Sequence, residues 1–328
     1  MTESGKMSKK TIISIIQILF LVCPVLWLIF AVDYKGVLSV LKSLDAILIL
    51  FLFVIVFVRF VLQSIRFWLL ATPFSQKLKL SELILLDWKA RYYSIIMPSS
   101  AGQDITRGVL LKKHLTIAEI TALTIFFRGT GVLTFILLGT FGFFRLYSQE
   151  GVSAAAFSVG ILFLLICGTG IILLSENATR KILSYLPKKT PPKISRFLAS
   201  ASKSILLYKK SPKLFVFNLF FALSLHLLFL LFPIVAIFAV SGKWYVLEVL
   251  TFFPLLELIA ATVPFAPNGM GAREALLLVF FEYINATKEI AFSYIALSVI
   301  TYLMLFLGFM AVIWDKIRKK IALTKGEG

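Results

Sequence analysis

Residues 264–274 read PFAPNGMGARE: two prolines, two glycines, an asparagine and an Arg-Glu pair, set between the apolar runs EVLTFFPLLELIAATV and ALLLVFFEYI. Proline and glycine interrupt helices, and a backbone group left unpaired in hydrocarbon is strongly unfavourable. Such a stretch survives at membrane depth only where protein surrounds it or where it lines a water-filled cavity. The rest of the chain has to supply that cavity.

Composition sets the solvent. The 328 residues are 59% hydrophobic with a mean hydropathy of +0.95, more apolar than a soluble core can hide, and the pattern is that of an all-α polytopic membrane protein. The two cysteines, Cys23 and Cys167, each sit in an uncharged apolar run, which excludes a disulfide scaffold. His114 follows two lysines and His226 stands alone in a span, so no metal site and no cofactor are expected. There is no G-x-x-x-x-G-K-[ST] phosphate loop, no extramembrane stretch large enough for a nucleotide-binding domain, and no nucleic-acid partner is expected. The run after Lys9-Lys10 is too long for a signal peptide and lacks a small-x-small cleavage site, so it reads as an uncleaved first span.

Runs long enough to cross about 30 Å of hydrocarbon occur at 12–32, 46–70, 116–144, 152–174, 214–240 and 290–314, giving six full transmembrane helices. The connecting segments sort by charge. Residues 1–11, 71–80, 112–115, 175–213 and 315–328 carry 22 Lys and Arg, and the alternating set 33–45, 145–151, 241–248 and 285–289 carries 5. Cytoplasmic loops retain positive charge, so both termini are expected in the cytoplasm, with the chain one membrane domain over 1–328. The basic loop 175–213 reads as a topology determinant or as a surface for anionic headgroups.

Two segments, about 81–113 and 248–284, start and end on the same face, the first inside and the second outside. Each is apolar at its flanks and broken in the middle, the pattern of two oppositely oriented re-entrant helical hairpins. Their tips share P-[SN]-x-x-G-x-charged: Pro98 to Asp104 against Pro267 to Arg273. Similar tips in segments of opposite topology are what an inverted repeat shows, although Gly/Pro turns also resemble one another by chance.

Seven basic residues fall in spans or hairpins: Arg59, Arg66, Lys89, Arg91, Arg107, Arg128 and Arg273. Arg59, Arg107, Arg128 and Arg273 facing lipid would together cost roughly 10–14 kcal/mol, so they must face a polar interior. Arg59, Gln63 and Arg66 share one stripe of the second span, and Thr121, Thr124, Arg128 and Gly131 share one of the third. Arg66, near a helix end, reads as a snorkelling residue, and Asp87 with Arg91 as an i, i+4 pair. Helices restarting after Gly102 and Gly271 would aim their N-termini into the interior. With Asn268 and Gly269 at the outer tip, they offer N–H groups to an anion. Asp104 and Glu274 occupy the first turns, as caps or as partners of Arg107 and Arg273. Guanidinium binds phosphate bidentately, so a phosphate is the expected guest, bound by these residues.

The motifs MPSSAGQDITRGVLLKK at 97–113, FFRGTGVL at 126–133 and PFAPNGMGAREALL at 264–277 resemble, in order, those of the lysylphosphatidylglycerol synthase transmembrane (flippase-like) family. Two positions depart from its pattern: Gln103 replaces a usual glycine, and Phe127 stands where an acid often precedes the arginine. The resemblance implies a bacterial or archaeal inner-membrane protein that moves lipids between leaflets or accompanies that movement. Its expected partner is an anionic or phosphate-headed lipid, with a homo-oligomer or a separate lipid-modifying enzyme left open. Family members that make lysyl-lipid carry an added soluble transferase domain; this chain shows none and is not expected to aminoacylate lipid unaided. A membrane enzyme or enzyme subunit acting on phospholipid or polyprenyl-phosphate remains the alternative, with no catalytic residues to assign because the loops hold no acid-base constellation. An ion path through Glu257, Glu282 or His226 is a third reading, against which stands their reading as single packing or pairing residues.

Overall fold

A computed structural model describes residues 34–75, 78–94, 102–150, 211–262 and 272–324, and all the secondary structure among them is helical. In chain order the helices are α1 (Tyr34–Lys42), α2 (Ala46–Ala71), α3 (Leu80–Ser94), α4 (Gly102–Leu111) and α5 (Ile117–Glu150), then α6 (Pro212–Ser241), α7 (Val246–Thr262), α8 (Ala272–Tyr283) and α9 (Lys288–Thr324). Four of them, α2, α5, α6 and α9, are long and apolar enough to cross a membrane. They fall on four of the six expected spans. The other two, 12–32 and 152–174, lie outside the described residues, as does the basic loop up to residue 210.

Local chemistry sets the ends. Asp45 caps α2, its carboxylate accepting from the Ile47 N–H at 2.8 Å. Thr116 and Glu119 form a reciprocal capping box that starts α5, Thr116 N–H donating to Glu119 Oε2 at 2.8 Å and Glu119 N–H to Thr116 Oγ1 at 3.3 Å. α6 begins at Pro212 and stops at Gly242, whose φ of 68° is the left-handed conformation that glycine adopts without a Cβ penalty. Asn285, at φ 52°, ends α8 in the same way, and the Ala286 N–H reaches back to the Phe281 carbonyl at 2.9 Å.

α3 and α4 pack together, with Asp87 opposite Gln103 and Arg107, and Glu82 opposite His114. Numbers rising on one helix and falling on the other make the two arms antiparallel. α7 and α8 also pair antiparallel, Glu257 facing Arg273 and Phe252 facing both Phe280 and Tyr283. Both broken segments are therefore pairs of helical arms, while the residues joining them, 95–101 and 263–271, lie outside the described part.

The packing of the long helices has an order that hydropathy does not show. α2 lies antiparallel against α6, with Arg66 on Asn218 and Arg59 over the Phe229 ring. The first arm of each pair packs on the last long helix of the other half: α3 on α9 and α7 on α5. α2 contacts α9 as α6 contacts α5, and α4 contacts α5 as α8 contacts α9. Both arm crossings are made close by a glycine. A Cβ on Gly142 of α5 would come within 2.7 Å of the Thr251 Cα, and one on Gly308 of α9 within 2.8 Å of the Tyr92 Cβ. The larger core cluster fills the α2–α6–α7–α8–α9 side with Leu52, Ile55, Leu230, Phe253 and Phe280 among others. A second cluster, around Phe67, Leu83, Leu123 and Phe126, backs α3 and α4.

Candidate anion site

α3 and α4 carry a buried ionic network centred on Asp87. This carboxylate is fully buried and accepts from Ser64 Oγ of α2 at 2.6 Å, Arg91 Nη2 at 3.2 Å, Gln103 Nε2 at 3.2 Å and Arg107 Nε at 2.9 Å, with a further bond from Arg107 Nη2. Arg107, itself 1% exposed, uses its remaining nitrogen on Asp104 Oδ1 at 3.0 Å, and its guanidinium lies 4.2 Å from the centroid of the Phe67 ring. Asp104 gives its other oxygen to Arg128 Nε of α5. The order Arg91, Asp87, Arg107, Asp104, Arg128 thus runs from the protein interior to a side chain that is 43% exposed. Buried charges persist when paired or fully hydrogen-bonded.

α7 and α8 hold a simpler pair, Arg273 Nη2 on Glu257 Oε2 at 2.7 Å. Glu274 lies in the first turn of α8. Arg59 lies on α2, and its guanidinium covers the rings of Phe229 at 4.5 Å and Phe60 at 5.6 Å. Among the described residues it makes no hydrogen bond or ion pair. Arg91 covers the same Phe60 ring at 4.2 Å, and its buried Nε has no partner there.

The expected site residues therefore divide. Arg107, Asp104, Arg128 and Gly102, the first residue of α4, come together with Asp87; Arg273 meets Glu257; Arg59 joins neither group and lies over the Phe229 and Phe60 rings. Asn268, Gly269 and Gly271 lie outside the described residues. Sequence reasoning gave Asp87 only its local partner Arg91 and missed Arg107, twenty residues away across the arms. It also misjudged Arg66. That residue does not snorkel: it is 4% exposed, donating to Asn218 Oδ1 at 2.8 Å, Thr130 Oγ1 at 2.6 Å and the Phe127 carbonyl at 3.0 Å. Asn218, a polar amide inside the apolar run of α6, was the available signal.

A sequence model of the lysylphosphatidylglycerol synthase TM region matches residues 14–308. The chain belongs to this family. No curated protein matches it. Membership makes it a multi-pass membrane protein in a phospholipid context. Gln103 donates to Asp87, adding a neutral hydrogen bond to the hub. Phe127 lays its ring against the Arg66 guanidinium at 4.4 Å and near that of Arg107 at 5.4 Å. A ring face attracts the cations without neutralising them. Among the described residues the buried charged side chains are three arginines, Arg66, Arg91 and Arg107, and one acid, Asp87.

Proposed function

We propose that this member of the family is a flippase-like transporter that carries a phosphate-headed lipid between leaflets, the headgroup passing an arginine-lined path while the acyl chains stay in the bilayer. The observation that supports it is the excess of buried guanidinium over buried carboxylate among the described residues, Arg66, Arg91 and Arg107 against Asp87. A buried positive surplus is unfavourable unless an anion shares the site, and phosphate matches the planar guanidinium fork. Arg59 is the residue best placed to meet it. It is partly exposed and engaged by the rings of Phe229 and Phe60 rather than by acids.

The same reading takes the two antiparallel arm pairs as re-entrant hairpins entering from opposite faces, in a six-span chain built as an inverted repeat with both termini cytoplasmic. The swapped contacts of α3 on α9 and α7 on α5, together with the antiparallel α2–α6 pair, support it. Cysteines placed near Thr190 and at the C-terminus should react only with reagent on the cytoplasmic face, and cysteines near Tyr147 and Thr287 only from outside. Labelling of the two ends of either hairpin from opposite faces would contradict the arrangement.

Reconstituted vesicles test the activity. Fluorescent phosphatidylglycerol or a polyprenyl phosphate should cross between leaflets faster with protein than without it, and Arg59→Gln should slow that movement about ten-fold, equivalent to about 1.4 kcal/mol, with folded yield unchanged. Movement no faster than in protein-free vesicles would reject the proposal.

A further inference from the structure

Between α4 and α5 lies an open groove of about 320 Å³, within the size range of ligand pockets. Its two lips are apolar. Ile105 and Val109 of α4 are 54% and 58% exposed, and Ile117 and Ile125 of α5 are 58% and 51% exposed. Its floor carries Thr121 and Thr124, which with Arg128 occupy successive turns of one face of α5. Lys112 lines one end, and Asp104, held by Arg128, lines the other. Eight residues separate Asp104 from Lys112, about 12 Å along a helix, and Arg128 lies eleven residues into α5, about 16 Å, or roughly half the thickness of the hydrocarbon core. Gly108 lets α4 approach α5 closely at the groove, since a Cβ there would meet Ile120 Cγ2 at 3.3 Å.

We infer that this groove is the lateral port through which the headgroup of one phospholipid leaves the cytoplasmic leaflet, its phosphate drawn from Lys112 at the rim to Arg128 at mid-depth. The inference rests on the transport reading for the orientation of the groove, and it adds the route and the residues that line it. Three features fit a lipid. The mostly apolar lining suits acyl chains that remain in the bilayer, the Thr121 and Thr124 side chains give the headgroup a polar edge, and cations stand at Lys112 and, behind Asp104, at Arg128. Arrival at Arg128 requires the phosphate to exchange with Asp104. That exchange does not strand the carboxylate, because Asp104 keeps its bond to Arg107.

The test uses the full chain in phosphatidylethanolamine–phosphatidylglycerol vesicles containing a phosphatidylglycerol analogue with a photoreactive headgroup. Crosslinks mapped by mass spectrometry are expected on Thr121, Thr124 or Val109. Val109→Trp, at an exposed position that tolerates bulk, should cut them at least ten-fold, and Lys112→Gln about three-fold. Leu137→Trp, on a face of α5 away from the groove, should leave them unchanged and controls for folding. Crosslinks that form in the groove while the parental protein moves no lipid would uphold the port as a binding site and defeat only the transport reading. Crosslinks confined to other helices, or insensitive to Val109→Trp, would overturn the port. Displacement of the crosslink by inorganic phosphate would overturn the lipid as its occupant in favour of a free anion.

Discussion

Asp87→Asn should reduce the folded, monodisperse yield of this protein more than any change at the arginines around it. The carboxylate is fully buried and draws donors from three helices: Ser64 on α2, Arg91 on α3, and Gln103 and Arg107 on α4. Removing its charge leaves Arg91 and Arg107 without their shared counter-ion in a region that water does not reach. The expected loss is about 3–5 kcal/mol, the range for breaking a buried pair from one side. Asparagine is nearly isosteric and retains one acceptor, so the experiment isolates charge from shape. Thermal unfolding in detergent, followed by size-exclusion chromatography, reads the result. Adding Arg107→Gln to Asp87→Asn should recover part of the loss, since the double change removes the stranded cation. Parental stability in Asp87→Asn would show that the network is not what holds α3 to α4.

This network also marks how far the sequence could be read. Hydropathy located α2, α5, α6 and α9 because a span needs a long uncharged run, while the proline- and glycine-rich stretches expected to break the two hairpins lie outside the described residues. Charge arithmetic selected the arginines at membrane depth because an unpaired charge there is so unfavourable. Which acid met which arginine was not legible. Helical spacing exposes only i, i+3 and i, i+4 partners, and so it found Asp87 with Arg91. The bonds from Arg107 to Asp87, from Arg66 to Asn218 and from Arg128 to Asp104 depend on how separate helices are docked. Arg66 was misread for the same reason. Its position near the end of α2 suggested an aqueous escape that the contact with α6 closes. The exchanged partners of α3 and α7 left no mark in the sequence beyond two ordinary-looking glycines.

Those glycines carry the second large effect. Gly142→Leu and Gly308→Leu should each destabilise the folded protein and suppress lipid movement, and to a similar degree. At Gly142 a side chain would run into the backbone of Thr251 on α7, and at Gly308 into the backbone of Trp88 on α3. A backbone cannot rotate aside as a side chain does, so the helices must separate. Overpacking commonly costs about 1–3 kcal/mol, and these sites belong at the upper end because the whole arm must shift. Gly129, on the same helix as Gly142, has open space around it: a Cβ there would meet nothing within 4 Å, and Gly129→Ala should be neutral or slightly stabilising through helix propensity. The comparison separates a helical glycine from a crossing glycine. Similar losses at the two crossings are what the inverted-repeat reading requires, since each arm then leans on the last long helix of the opposite half. If Gly308→Leu is severe and Gly142→Leu is harmless, the two halves are not mechanical counterparts, and any movement of the hairpins would have to be driven from the α3–α9 crossing alone.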